Sequence, residues 1–163
     1  SDKLSYPIVD KPPIGSWGRL VSIVRDSTDL KMIAEHRDYL SSPQLKTHII
    51  QEVVGLGKDI RCIVVGDEVL GCMLRIAPNN EWRSNVALGG NVRKFNVDDE
   101  LREMVLKAAR AVNAEIAGVD VLVNDVYYIN EINGIPEFKG FISATGIKVH
   151  EHIVKYIINI IRR

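Results

Sequence analysis

The sequence predicts an α+β fold built mainly from antiparallel hairpins. Three observations carry that expectation. Short β-branched runs recur in pairs across Gly-, Pro- or Asn-bearing turns. Amphipathic helical stretches stand between the pairs. No strand–helix–strand rhythm of a doubly wound sheet runs through the chain.

The chain opens at Ser1 without Met and passes straight into an apolar run, as a piece of a longer protein would. Residues 6–9 read as a strand, followed by Lys11-Pro12-Pro13, a Gly15-Ser16-Trp17-Gly18 loop and a second strand at 20–24, a hairpin with a flexible tip. Ser27 or Thr28 caps a helix to about residue 40, with Leu30, Ile33, Ala34 and Arg37 on one stripe. Residues 48–54 form a β-branched strand ended by Gly55 and Gly57. Strands at 60–65 and 68–75 are joined by Gly66-Asp67, with Gly first as a II′ turn requires. The polar, Gly-bearing stretch 78–90 reads as a long loop. A helix starts at Asp98 and runs to about Asn113, with Leu101, Met104, Val105, Ala108 and Val112 on one face. Strands at 119–123 and 126–130 form a hairpin about Asn124-Asp125. A closing helix at 149–161 has Ile153, Val154, Ile157, Ile160 and Ile161 as its apolar face.

At 163 residues, 46% of them hydrophobic, the chain suits one domain or two small subdomains and buries a core without staples. Lys plus Arg and Asp plus Glu both number 21, so charge makes no case for nucleic acid or an acidic membrane as partner. No signal peptide and no run of 18 apolar residues is present, and a cytoplasmic setting is expected. Cys62 and Cys72 lie in strand-like runs without CxxC spacing, which removes a zinc reading. Buried reduced thiols are the expectation for them, with cross-strand pairing the alternative in an oxidising compartment. His36, His48, His150 and His152 have no ligand or triad spacing and read as structural. No motif of nucleophilic catalysis is present.

The chemistry concentrates on the last hairpin. Pairing Val123 with Val126 puts Asp120 opposite Ile129, and Asp120, Ile129, Glu131 and Asn133 on one face. Asp120 and Glu131 are then diagonal neighbours, about 7 Å apart at the backbone. Two carboxylates and an amide oxygen are hard ligands of the kind Mg²⁺ takes alongside phosphate and water. Two solvent-facing acids on an edge hairpin are the plain alternative, and a one-residue slip separates the set. Like charges side by side, and an Asp inside an apolar strand, argue for a cation.

Other polar segments are weaker signals. Gly15, Ser16, Trp17 and Gly18, after Lys11, are able to wrap phosphate with backbone N–H groups and one cation, or to be an ordinary hairpin tip. Gln51, Glu52, Val53 and Val54 end a strand where backbone groups can read an adenine edge. Asp59, Arg61 and Arg75 put charges on a hairpin whose simple register sends the two arginines to opposite faces. Arg83, Ser84 and Asn85 lie in the long loop, where binding groups gather.

Taken in order, these segments resemble the ATP-grasp superfamily, in the branch of the RimK-type glutamate ligases and the LysX/ArgX-type ligases. The resemblance rests on Tyr-Pro-Ile-Val-Asp-Lys-Pro at 6–12, Gly-Ser-Trp-Gly-Arg at 15–19, Gln-Glu-Val-Val at 51–54, the 58–67 strand, Arg-Ser-Asn at 83–85, Ala-Gly-Val-Asp at 117–120 and Asn-Glu-Ile-Asn at 130–133. It implies two small α+β subdomains, 1–50 with the Gly-rich loop and 51–163 with the adenine linker and metal site, holding ATP between mainly antiparallel sheets. Lys11 and the 15–18 loop then hold ATP phosphates. Gln51, Glu52, Val53, Val54 and Asp59 serve the nucleotide, with Arg83, Ser84 and Asn85 near phosphate and the reacting carboxylate. Arg61, Arg75, Arg83 and Asn85 are the implied catalytic groups, and Asp120, Glu131 and Asn133 the ligands of Mg²⁺, or of Mn²⁺.

The implied reaction phosphorylates a carboxylate with ATP, and an amine then displaces phosphate to give an amide. The 15–19 segment and Pro-Glu-Phe-Lys-Gly at 136–140 look more like the LysX/ArgX ligases. Those ligases join glutamate or 2-aminoadipate to a small acidic carrier protein in arginine or lysine biosynthesis. Asn133-Gly134-Ile135 departs from the Asn-x-Thr pattern associated with aminoadipate, so either amino acid stands. A RimK-like glutamate ligase acting on a protein or coenzyme, and a non-catalytic nucleotide-binding domain, are the alternatives. Family members carry an N-terminal domain ahead of Tyr6 that this sequence lacks. The chain alone is therefore expected to bind nucleotide without turnover, and to self-associate as a homo-oligomer through surface that domain would cover.

Overall fold

The computed structural model describes residues 4–162; the abrupt start at Ser1 lies outside them. The chain divides into two compact units, Ser1–Val54 and Gly55–Arg163. The sequence reading places this boundary after residue 50.

The first unit is a three-stranded antiparallel sheet in the order β2-β1-β3, with β1 Ile8–Lys11, β2 Ser22–Val24 and β3 Ile49–Glu52. Helix α1 spans Ser27–Asp38 and the short α2 Pro43–Lys46. β1 begins two residues later than the sequence pattern predicts, since Ile8 and not Tyr6 pairs with Val24. The cap of α1 is Asp26, one residue before the predicted Ser27 or Thr28. Its extended backbone lets the carboxylate accept from Thr28 N at 2.7 Å and Asp29 N at 3.0 Å.

The second unit is a five-stranded antiparallel sheet in the order β6-β5-β4-β7-β8. Its strands are β4 Lys58–Val65, β5 Glu68–Ile76, β6 Asn91–Phe95, β7 Ile116–Val123 and β8 Tyr127–Asn133. Helices α3 Asp99–Ala111, α4 Lys139–Thr145 and α5 Val149–Ile161 complete it. Both faces of the sheet are covered, which is why β4 reads as an almost unbroken apolar run. On one face Ile60, Cys62, Leu74, Val119 and Val121 pack with Leu101, Val105 and Ala109 of α3. On the other, Ile63, Val65 and Met73 pack with Phe141 and Val149. Each large side chain buried here contributes about 1.5–3 kcal/mol. Gly66 holds φ 62 in the β4–β5 turn, where a Cβ would also meet the Tyr156 ring at 2.5 Å.

Several expectations change. Cys62 and Cys72 are joined by a disulfide and are not reduced thiols, because they are direct cross-strand partners with Cα atoms 4.1 Å apart. The loop predicted at 78–90 is followed by β6, an edge strand too polar to show a strand pattern, and contains a 3-10 turn at Val86–Leu88. α4 was hidden by Gly140, Ser143 and Thr145, weak helix formers, and is held by the fully buried Phe141. α5 turns Val149, Ile153 and Tyr156 to the sheet, leaving Val154, Ile157, Ile160 and Ile161 of its predicted inward face exposed. No helix is long and apolar enough to cross a membrane among the described residues.

Candidate active site

The β7–β8 hairpin is one residue longer in its turn than the sequence pattern suggests. Val123 faces Tyr127 rather than Val126, and Val121, not Asp120, faces Ile129. A bulge between Asp120 and Val121 then leaves Asn130 as the extra residue, which restores Glu131 to the face of Asp120. Asp120 and Glu131 become direct partners rather than diagonal ones, and Asn133 sits two positions on, opposite Gly118. Asn133 Nδ2 donates to Glu131 Oε1 at 3.2 Å. Ile129 leaves the set and packs into the α3 face of the core.

A second bulge corrects the arginines. In β4–β5 the register shifts between Ile63 and Val64, so that Asp59 faces Arg75 and Arg61 faces Met73. Arg61 and Arg75 therefore share a face, where a simple register separates them. Both close on Asp120. Arg61 Nε donates to Oδ1 at 2.5 Å and its Nη2 to Oδ2 at 2.6 Å, while Arg75 Nη2 lies 2.9 Å from Oδ2. Arg75 also forks onto Asp59, with Nε to Oδ1 at 2.8 Å and Nη2 to Oδ2. Ser84 Oγ donates to Asp59 Oδ1 at 2.7 Å. Gly118 clears the space beside this network: a Cβ there would lie 2.8 Å from Pro136 Cβ and 3.5 Å from Arg61 Cδ.

Asp59, Arg75 and Asp120 are each at most 6% exposed, so the pairing compensates a large desolvation cost. Burial acts to raise the Asp120 carboxyl, and the Arg61 and Arg75 guanidiniums outweigh it and hold its pKa below the usual range. Burial acts to lower Arg75, and hydrogen bonds and charge from Asp59 and Asp120 outweigh that and raise it.

Arg83 is held elsewhere. Glu81 Oε1 accepts from Arg83 Nε at 3.0 Å and Oε2 from Nη2 at 2.8 Å, while Oε1 also takes the backbone N–H groups of Trp82 and Arg83 at 2.9 Å. The Arg83 hydrogen bonds bring the Glu81 carboxyl down to about 2. Sequence reasoning missed Glu81, although an acid two residues before a singled-out arginine in a constrained loop was a usable signal. Asn85 starts the 3-10 turn, its carbonyl accepting from Leu88 N at 3.0 Å. In the first unit Lys11 ends β1, Gln51 and Glu52 end β3 with Val53 and Val54 after them, and Gly15 to Gly18 form a loop with Trp17 and Gly18 at φ 61 and 69. Arg19 stacks over the Trp17 ring at 4.7 Å.

The second unit thus gathers Asp59, Arg61, Arg75, Ser84, Asp120, Glu131 and Asn133. Among the described residues no three His, Cys, Asp or Glu side chains converge as a metal cage. Two carboxylates and one amide fit a cation that keeps few protein ligands, which suits Mg²⁺ and not a dedicated Ca²⁺ or Zn²⁺ site.

Two antiparallel sheets, with acids and arginines on one face of the second, agree with the family that the comparisons give. The chain belongs to the RimK-like ATP-grasp domain family, matched over residues 1–157. It is 50% identical over 159 residues to the glutamate–LysW ligase ArgX of Sulfurisphaera tokodaii, covering 96% of this chain and 56% of that protein. It is 34% identical over 160 residues to the alpha-aminoadipate–LysW ligase LysX of the same organism, with the same coverage. The chain therefore spans about half the length of the curated relatives it matches. A D-alanine–D-alanine ligase of Bacillus anthracis complexed with ATP shares the fold with a TM-score of 0.66 at 21% identity, over 98% of this chain and 57% of that one.

Proposed function

We propose that this chain is the nucleotide- and metal-binding part of an ATP-dependent carboxylate–amine ligase that joins glutamate to a carrier protein. The observation that supports it most is Asp120 and Glu131 paired on the sheet face that also carries Arg61 and Arg75. Such ligases pass ATP's γ-phosphoryl group to a substrate carboxylate, releasing ADP, and an amine then attacks the acyl phosphate and expels phosphate. Phosphoryl transfer needs positioning and charge neutralisation more than covalent help. Asp120, Glu131 and Asn133 would hold Mg²⁺, which neutralises phosphate charge when bound. Arg61 and Arg75 orient phosphoryl oxygens, and their carboxylate partners keep both guanidiniums in place before substrate arrives. Lys11 and the N–H groups of the 15–18 loop hold phosphates, and Arg83, Ser84 and Asn85 orient the acyl group. Gln51 to Val54 and Asp59 serve the nucleotide. Glutamate is favoured over 2-aminoadipate because the glutamate-specific relatives stand at 49–50% identity and the aminoadipate-specific ones at 33–34%. A cytoplasmic setting and an acidic carrier belong to the same reading.

The test is ADP release by the full-length protein with carrier, Mg²⁺-ATP and either amino acid. Glutamate-dependent turnover that Glu131→Gln abolishes is the expected result. Turnover with aminoadipate alone would overturn the substrate, and nucleotide binding indifferent to Mg²⁺ and to Glu131→Gln would overturn the site.

A further inference from the structure

The first unit carries a second buried ionic cluster, apart from the arginine–carboxylate face. Asp10 of β1 is fully buried and Arg37 of α1 is 3% exposed. Arg37 closes the inward stripe Leu30, Ile33, Ala34, Arg37, so a cation stands where the helical pattern asks for an apolar residue. Its guanidinium reaches three segments. Nη1 donates to Thr47 O at 2.9 Å, and Nη2 to Leu20 O at 2.8 Å. Nη2 also lies 2.9 Å from Asp10 Oδ2, while His48 Nδ1 meets Asp10 Oδ1 at 2.9 Å. Asp10 Oδ2 receives no aligned hydrogen bond among the described residues. Two backbone carbonyls therefore aim the fork, and Asp10 supplies the charge that lets it stay buried.

Leu20 has φ 59, in the left-handed region that a side chain of its size rarely adopts. Such a residue persists where its surroundings dictate it. Leu20 is where the loop bearing Gly15 to Gly18 returns toward β2, and Asp10 precedes Lys11 where the chain enters that loop. One ion pair thus ties the entry and the exit of the loop.

We propose that Arg37, backed by Asp10, is a positioning residue for the loop. By holding Leu20 O it sets the direction in which the loop leaves the sheet, and so how loop N–H groups meet phosphate. This rests on the nucleotide role given above to Lys11 and the 15–18 loop.

The experiment uses the full-length protein. Arg37→Lys keeps a cation beside Asp10 but a single ammonium cannot form the three-point fork. Asp10→Asn keeps the shape and removes the charge. Leu20→Gly makes the left-handed residue unstrained. Trypsin cleaves after the exposed Arg19, which reports loop order without nucleotide. At a temperature where circular dichroism shows native fold, Arg37→Lys should speed that cleavage about tenfold and raise KM for ATP by about fivefold, each tenfold corresponding to about 1.4 kcal/mol. The KM for the amino acid should not move. Adding Leu20→Gly should recover at least half of both effects, measured against Leu20→Gly alone. Should Arg37→Lys fail to fold, Asp10→Asn carries the same measurements. Native cleavage and native ATP KM in the folded variants would overturn the proposal, as would effects that Leu20→Gly leaves untouched. Failure of the unaltered protein to bind ATP sinks the ligase reading instead, and the nucleotide-free cleavage rates still decide the anchor.

Discussion

Asp120 carries two demands at once, a place beside Glu131 and two guanidiniums on its own oxygens. Its neighbour pair Asp59–Arg75 is also buried, and removing Asp59 leaves two buried guanidiniums, Arg61 and Arg75, to share the one carboxylate of Asp120. Asp59→Ala should therefore cost about 3–5 kcal/mol in urea unfolding of the protein, whereas Lys107→Ala, which breaks an exposed pair with Glu103, should cost under about 0.5 kcal/mol. The acids also set a pH dependence. Glu81, near 2, and Asp120 both titrate lower in the folded chain than unfolded. Each thus contributes stability that is present above its unfolded pKa, about 4, and lost as pH falls through its folded value. Unfolding free energy should decline from about pH 4.5 toward pH 2, and Glu81→Gln should flatten that decline. An unchanged slope in Glu81→Gln would show that Glu81 is not tied to Arg83 in solution.

At the level of elements, two bulges decide the site. The irregularity in β8 puts Glu131 and Asn133 on the face of Asp120, because strand side chains alternate with period two. Deleting Asn130 should remove the bulge and leave Glu131 opposite Asp120, and Asn133 opposite Gly118, in an unbroken ladder. Mg²⁺-dependent nucleotide binding by calorimetry should persist while the far-UV circular dichroism stays native. Loss of Mg²⁺ dependence in a folded variant would mean that the bulge itself, and not the pairing of Glu131 with Asp120, places the ligands. The bulge between Ile63 and Val64 does the same for the arginines. The Cys62–Cys72 bond crosses the same two strands and closes a loop with a sequence separation of 10. Unfolding in denaturant with reductant present should show stability lower by on the order of 2–3 kcal/mol than without it. Equal midpoints with and without reductant would show that the bond adds nothing.

For the molecule as a whole, Lys11 and the glycine loop belong to the first unit and the arginine–carboxylate face to the second. Ligand binding stabilises a folded state by an amount set by concentration over Kd. Mg²⁺-ATP at about 100 times Kd should add about 2.7 kcal/mol to the unfolding free energy. Thermal melts with ATP alone should show a smaller gain. The rest of the relatives' length lies outside the match.

The sequence by itself determined the antiparallel α+β class and the order of the segments. Those rest on local quantities: period-two and period-3.6 patterns, turn residues and motif order. Only the tertiary structure decided which faces the side chains took. Pairing Asp120 directly with Glu131, and bringing Arg61 beside Arg75, each depended on a bulge whose extra residue has no signature of its own in Ile129-Asn130 or Leu70-Gly71. The same holds for Arg37, a charge on an apolar stripe that becomes intelligible when β1, the loop and the residue before His48 meet around it. Burial is a property of what the rest of the chain brings near, and that information is spread over contacts distant in sequence.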